Sequence, residues 1–354
     1  MGYAPRANRN RMPAVPMQPI VDPAGWTARE LSLNDDWSYT LSNADCDEIA
    51  GTVGAIEKRG LDIKDIGRDD FILPKVAGIM ADLRDELLNG RGFVLIRGLP
   101  VAHMTRAQSA IAYWGLGAHL GRAVSQNGKG HLLGHVKDVG SDYGDANTRG
   151  YLTNAHMGFH SDRCDYVGLM CLQPSKSGGE SRIASAVTHY NEILARRPDL
   201  MEELVKDYCW SWVGEIPPGD LPYYRMPVFS FQDGFMCVRG VSTQIFKSQG
   251  MAGVPDFTEK QIEALEFYKT IVEEVAFDME FRQGDIQILH NHVTLHSRRG
   301  FTDWPEPERK RHLLRLWLYD EGGRAVLPVY RKVISGIHAD SGVLIAPLDV
   351  EEAA

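Results

Sequence analysis

The sequence predicts a mixed, mainly β chain: a double-stranded β-helix, or jelly roll, with helices before it and others inserted into it. Three observations carry this expectation. Short segments that alternate in polarity or run apolar fill the last two-thirds of the chain, as strands buried on one or both faces do. Helical periodicity is confined to a few stretches between them. Glycine and proline are scattered rather than pooled into a linker, and no repeat or low-complexity tract divides the 354 residues. Such strands suit two packed antiparallel sheets whose open end can hold a metal. Residues 1–22 read as a Pro-rich disordered arm, and 23–354 as one catalytic domain.

Taken in order, Asp45 to Arg59 and Pro74 to Asn89 place Ile49, Val53 and Ile56, then Val76, Ile79, Met80, Leu83 and Leu87, at helical spacing. Gly90 and Gly92 close the second helix. GFVLIRGLP then reads as a buried strand ending in a Gly-Leu-Pro turn. Thr105 can cap a helix through Leu116, because its hydroxyl offers an acceptor to the free first-turn amides. Gly121 to Thr153 is rich in Gly, Asp and Asn with one apolar piece, His131 to Val136, and reads as a lid. Arg182 to Val187 follows as a strand, His189 to Arg197 as a helix ended by Pro198, and Leu200 to Lys206 as another helix. Tyr208 to Val213 alternates aromatic residues as a strand does. A Pro-punctuated loop leads to a further strand, joined across Asp233-Gly234 to FMCVRG. Phe257 to Phe277 is helical in period, and Phe281 to His296 returns to strand after a Gly284-Asp285 turn.

Hydrophobic residues at 44% suffice for a sizeable core, and a net charge of −9 argues against a general nucleic-acid binder. No apolar run approaches the roughly 18 residues of a membrane span. The first residues lack an apolar leader core, so a cytoplasmic location is expected, with homo-oligomerisation left open. Five cysteines form no C-x-x-C pair and leave one over, which suits reduced thiols.

The chemistry concentrates at His160-Ser161-Asp162. An extended backbone puts residues two apart on one face, so imidazole and carboxylate point at one spot. A third ligand would complete the facial two-His, one-carboxylate set of non-haem Fe(II) oxygenases. Gly284 to Phe301 supplies the candidates. As a strand, His290, His292, Thr294 and His296 share a face, so spacing does not choose among them, and the absence of Glu after His292 excludes the H-E-x-x-H zinc motif.

The order H-x-D, Pro174-x-x-x-Gly178-Gly179-x-Ser181, Asn291-x-Val293-Thr294-x-His296 and Arg311-x-x-x-Arg315 resembles the Fe(II)/2-oxoglutarate-dependent dioxygenases of the taurine and 2,4-dichlorophenoxyacetate dioxygenase family. The resemblance runs from about Gly92 to Leu318. It implies His160, Asp162 and His296 as iron ligands. It also implies Ser181 and Arg311 at the tail carboxylate of the 2-oxoglutarate cosubstrate, and Arg315 facing the primary substrate. Two features depart from the pattern: Ser181 stands for the usual Thr, and the gap from His296 to Arg311 is a few residues long. The resemblance further implies that O₂ and 2-oxoglutarate are consumed, with succinate and CO₂ released and a C–H bond of a small substrate oxidised. Hydroxylation is the default, and Asp162 leaves no place for a halide.

Arg311 and Arg315 share one face of the apolar strand RHLLRLWL with Leu313 and Trp317. Two buried guanidiniums require anions, and a dicarboxylate cosubstrate or an internal partner such as Asp285 meets that need. Arg163, Trp212, Tyr223, Tyr224, Arg225 and Arg239 form an aromatic and cationic set that suggests a small organic acid as substrate. Two other readings use the same cluster: a cupin-type zinc or manganese enzyme, and a non-catalytic 2-oxoglutarate sensor.

Overall fold

Two sheets face each other in a computed structural model that describes residues 3–140 and 152–349. The larger runs Ser38–Thr40, Phe93–Arg97, Ile286–His290, Tyr166–Gln173, His312–Tyr319 and Arg122–Ala123, with Leu133–Val136 also paired to His312–Tyr319. Its pairs are antiparallel except the first. The smaller runs Phe277–Met279, Ser181–Ser185, Thr294–Arg298 and Met157–His160, all antiparallel.

Period-two alternation sorts the cores. Val94, Ile96, Ile286, Ile288, Leu314 and Leu316 face helices Asn43–Arg59, Val76–Asn89 and Arg106–Ala118. Their neighbours Phe93, Leu95, Leu289, Val167 and Trp317 pack inward against Ile183 and Met279 of the smaller sheet. Helices Ala186–Arg196, Pro198–Leu204 and Glu259–Glu274 cover that sheet's outer face, over Phe159, Ala184 and Leu295. Capping boxes start the main helices: Ser42 with Asp45, Thr105 with Gln108, Thr258 with Gln261. Each cap satisfies first-turn amides and contributes about 1 kcal/mol. Asp233 and Gly234 turn the hairpin Phe229–Gln232/Phe235–Val238 with φ of 50° and 78°, the pair of positive values a tight hairpin needs.

The structure corrects four expectations. Residues 3–22 are held on the core rather than disordered, because buried Glu86 accepts from Arg9 at 3.0 Å and from the Arg6 amide at 2.9 Å. Arg11 pairs with Asp22 at 2.9 Å, and Asn191 takes the Ile20 amide at 2.8 Å. Of the expected lid, Arg122–Ala123 and Leu133–Val136 are sheet strands, and residues 141–151 lie outside the described residues. The strand after Ser181 stops at Ser185, whose hydroxyl caps the next helix by accepting from the Thr188 amide at 3.0 Å. The span Phe281 to His296 is two strands in different sheets, since a turn at residues 291–293 carries the chain from one sheet to the other.

Candidate active site

That crossing places the distal histidine. His296 pairs directly with His160 across the smaller sheet, ring centroids 4.2 Å apart. Asp162, just past the strand end, presents its carboxylate oxygens 3.9 Å from His160 Nε2 and 3.8 Å from His296 Nε2. One ligand atom from each of the three lies within 4.8 Å of the others. The Asp162 amide donates to Asn291 Oδ1 at 3.2 Å, and Asn291 Nδ2 donates to the Cys164 carbonyl at 3.1 Å. The sheet-crossing turn is thereby tied to the H-x-D turn. His160 Nδ1 lies 3.0 Å from the Gly158 carbonyl, which leaves Nε2 to face Asp162.

Burial alone would raise the Asp162 carboxyl, but Arg315, His296, His160 and the Trp317 indole N–H, 2.9 Å away, bring it down to about 2. Burial, aided by His160, depresses His296 to about 3. Neutral imidazole and ionised carboxylate are the forms that bind a metal, so the donor set fits a divalent iron of the facial type.

The larger sheet supplies the opposite wall. Arg311, Leu313 and Arg315 line the same cavity as His160, Asp162 and His296, with Ser181, Arg298, Val136, Met157, Leu169 and Phe281. Arg311 is 5% exposed, and its Nη1 has no hydrogen-bond partner among the described residues. Burial lowers this guanidinium to about 10, against weaker opposition from Cys171 and Asp303. Asp285 is not its counterion: Asp285 pairs with Arg97 and accepts from the Arg282 amide at 2.9 Å. Arg315 donates from Nε to Gln126 Oε1 at 2.7 Å, and its Nη1 is 3.7 Å from Asp162. It therefore lies on the cavity wall against the Asp162 carboxylate. Ser181 lines the cavity and donates to Gln287 at 2.9 Å.

The other histidine candidates go elsewhere. His292 Nε2 is 2.8 Å from Asp165 Oδ1, both fully buried, and its ring is 4.9 Å from that of His290. The expected substrate residues do not line the cavity. Arg163 pairs with Glu215 at 3.1 Å and lies over Trp212, Tyr224 packs on Trp212, Tyr223 donates to the Gly253 carbonyl, and Arg225 is exposed. Arg239 grips Ser161. Sequence reasoning missed Arg298 and Gln126. Arg298 was within reach of the period-two rule, since two residues beyond His296 on a strand is the same face. Gln126 carries no such signal.

Fold and site together define a non-haem iron oxygenase on a jelly roll. The family model described as taurine catabolism dioxygenase TauD, TfdA family, matches residues 57–317, and the chain belongs to that family. It is a 2-oxoglutarate-dependent non-haem iron dioxygenase that uses Fe(II), 2-oxoglutarate and O₂. The chain is 32% identical to FR-33289 synthase of Streptomyces rubellomurinus over 87% of its own length and 92% of that protein's. It is 28% identical to the taurine hydroxylase-like protein SAT17 of Stachybotrys chartarum, over 85% and 80%. Among solved structures, asparagine oxygenase with Fe(II), 3-hydroxyasparagine and succinate matches at TM-score 0.63 and 18% identity, covering 80% of this chain and 93% of that one. The oxygenase OrfP with Fe and alpha-ketoglutaric acid matches at 0.60 and 17%, with the same coverage. No described helix is long and apolar enough to cross a membrane.

Proposed function

We propose that His160, Asp162 and His296 hold the iron, that Arg311 with Ser181 binds the far carboxylate of 2-oxoglutarate, and that the enzyme hydroxylates a small organic acid. When bound, the iron couples decarboxylation of 2-oxoglutarate to oxidation of a substrate C–H bond by O₂. The chain's own groups prepare that chemistry. Arg311 offers a donor unpartnered among the described residues, in a cavity shared with His160, Asp162 and His296, and this single observation carries the reading. A carboxylate there receives charge-assisted hydrogen bonds and relieves a buried charge. The Ser181 hydroxyl turns from Gln287 to the same carboxylate.

Arg315, fixed by Gln126, balances Asp162 and with Arg298 makes the cavity favourable for an anionic substrate group. Val136, Met157, Leu169, Phe281 and Leu313 supply apolar walls that keep water from the reacting centre. Amino-acid oxidation by the structural neighbours supports a substrate of that size. Five unbridged cysteines favour a reducing, cytoplasmic setting, with residues 23–354 acting as one catalytic unit. The test is a panel of small acids and their uncharged amides with Fe(II), 2-oxoglutarate and air. The expected result is succinate formation stimulated by an acid, with a product one oxygen heavier. Stimulation by neutral compounds alone contradicts the substrate class.

A further inference from the structure

Arg239 is 1% exposed, yet among the described residues its four hydrogen bonds all go to neutral acceptors. A buried charge without an anionic partner is costly to the fold, so what it holds in return is informative. Its Nη1 donates to the Ser161 carbonyl at 2.8 Å and to the Ser161 hydroxyl at 3.1 Å. Ser161 is the residue between His160 and Asp162. Next in the chain, the Gly240 amide donates to that same hydroxyl at 3.0 Å. A Cβ at Gly240 would lie 2.7 Å from the Ser161 nitrogen and 2.8 Å from the His160 carbonyl carbon, so the two backbones touch with no room for a side chain.

The guanidinium is itself fixed from behind. Nε donates to the Tyr224 hydroxyl at 3.2 Å, Nη2 to Gln244 at 2.6 Å, and the group lies over Trp210, 5.4 Å from the ring centroid. Nearby Asp162 adds a favourable field. Rotation of the Ser161 peptide would turn Asp162 relative to His160, because Ser161 is the one residue between them in the chain. We propose that Arg239, with the Gly240 amide, is a positioning residue that locks the Ser161 peptide so that His160 and Asp162 face one metal ion. This rests on the ligand assignment above.

The competing reading is a polar plug that joins the hairpin to the smaller sheet, and it predicts a different readout. Co(II) alone is titrated into the purified full-length chain and followed by visible absorption, with metal-free Tm recorded beside it. Arg239→Gln is expected to weaken Co(II) binding by roughly 10- to 100-fold, the range for residues that orient metal ligands. Ser161→Ala, which keeps the carbonyl contact, is expected to weaken it less, and its effect to shrink in the Arg239→Gln background, since both changes act on one contact. Arg239→Lys is expected to restore part of the affinity. Unchanged Co(II) affinity in Arg239→Gln, with only a lowered Tm, overturns the proposal. Should Arg239→Gln fail to fold, parent-like affinity in both Arg239→Lys and Ser161→Ala overturns it instead. His160→Ala separates the two layers: if it still binds Co(II) as the parent does, the ligand assignment itself is wrong.

Discussion

His160 and His296 face each other across paired strands with ring centroids 4.2 Å apart, and Asp162 lies within 4 Å of both. Two imidazolium ions at that spacing repel, whereas two neutral rings and one carboxylate converge on a cation.

His160→Ala, Asp162→Ala and His296→Ala are each expected to abolish iron-dependent succinate formation with little change in metal-free Tm, because the cluster lies at the cavity and not in the packed cores. His292→Ala is expected to do the reverse. It leaves fully buried Asp165 short of a partner and lowers Tm, while Co(II) binding persists. Loss of metal in His292→Ala at unchanged Tm contradicts the assignment of the distal ligand.

Arg311→Gln removes charge-assisted contacts worth roughly 1.5–3 kcal/mol each, so the affinity for 2-oxoglutarate is expected to fall at least tenfold. Arg315→Gln is expected to change that affinity less and to raise succinate formation uncoupled from substrate oxidation, since Arg315 lies by Asp162 and Gln126. Titration of the iron–2-oxoglutarate visible band in both variants decides the matter. The larger loss in Arg315→Gln reverses the two roles.

Burial holds His189, His296 and His312 each down to about 3. Unfolded histidine titrates near 6.5, so between these values the unfolded chain binds more protons and acid favours unfolding. Full stability is expected above pH ~6.5, with progressive loss toward pH ~3. His189 bonds the Tyr268 carbonyl at 2.9 Å, away from the proposed iron site, so iron is not expected to remove the trend. Thermal melts from pH ~7.5 to ~4.5 check this, and a flat Tm contradicts it.

Much of this was legible in the residues. Period-two alternation in RHLLRLWL placed Arg311, Leu313 and Arg315 on the cavity wall and Leu314 and Leu316 in the helix-covered core. Periodicity failed where tertiary contacts broke a strand. The turn at residues 291–293, held by Asn291 to the H-x-D turn, separates His292 from His296 by fold and not by spacing. The N-terminal arm was misread because its arginines look solvated until Asp85, Glu86 and Asp22, distant or modestly spaced in sequence, meet them. The supposed substrate residues Arg163 and Arg239 have the right chemistry but are engaged elsewhere, Arg163 with Glu215 and Arg239 with the Ser161 carbonyl.

Anaerobic addition of Fe(II) and then 2-oxoglutarate, followed by air, tests the central claim most directly. A weak visible charge-transfer band that needs both additions, bleaching in air with stoichiometric succinate, is the expected result, and the band is absent in His296→Ala. Undiminished band and succinate in His296→Ala contradict the account.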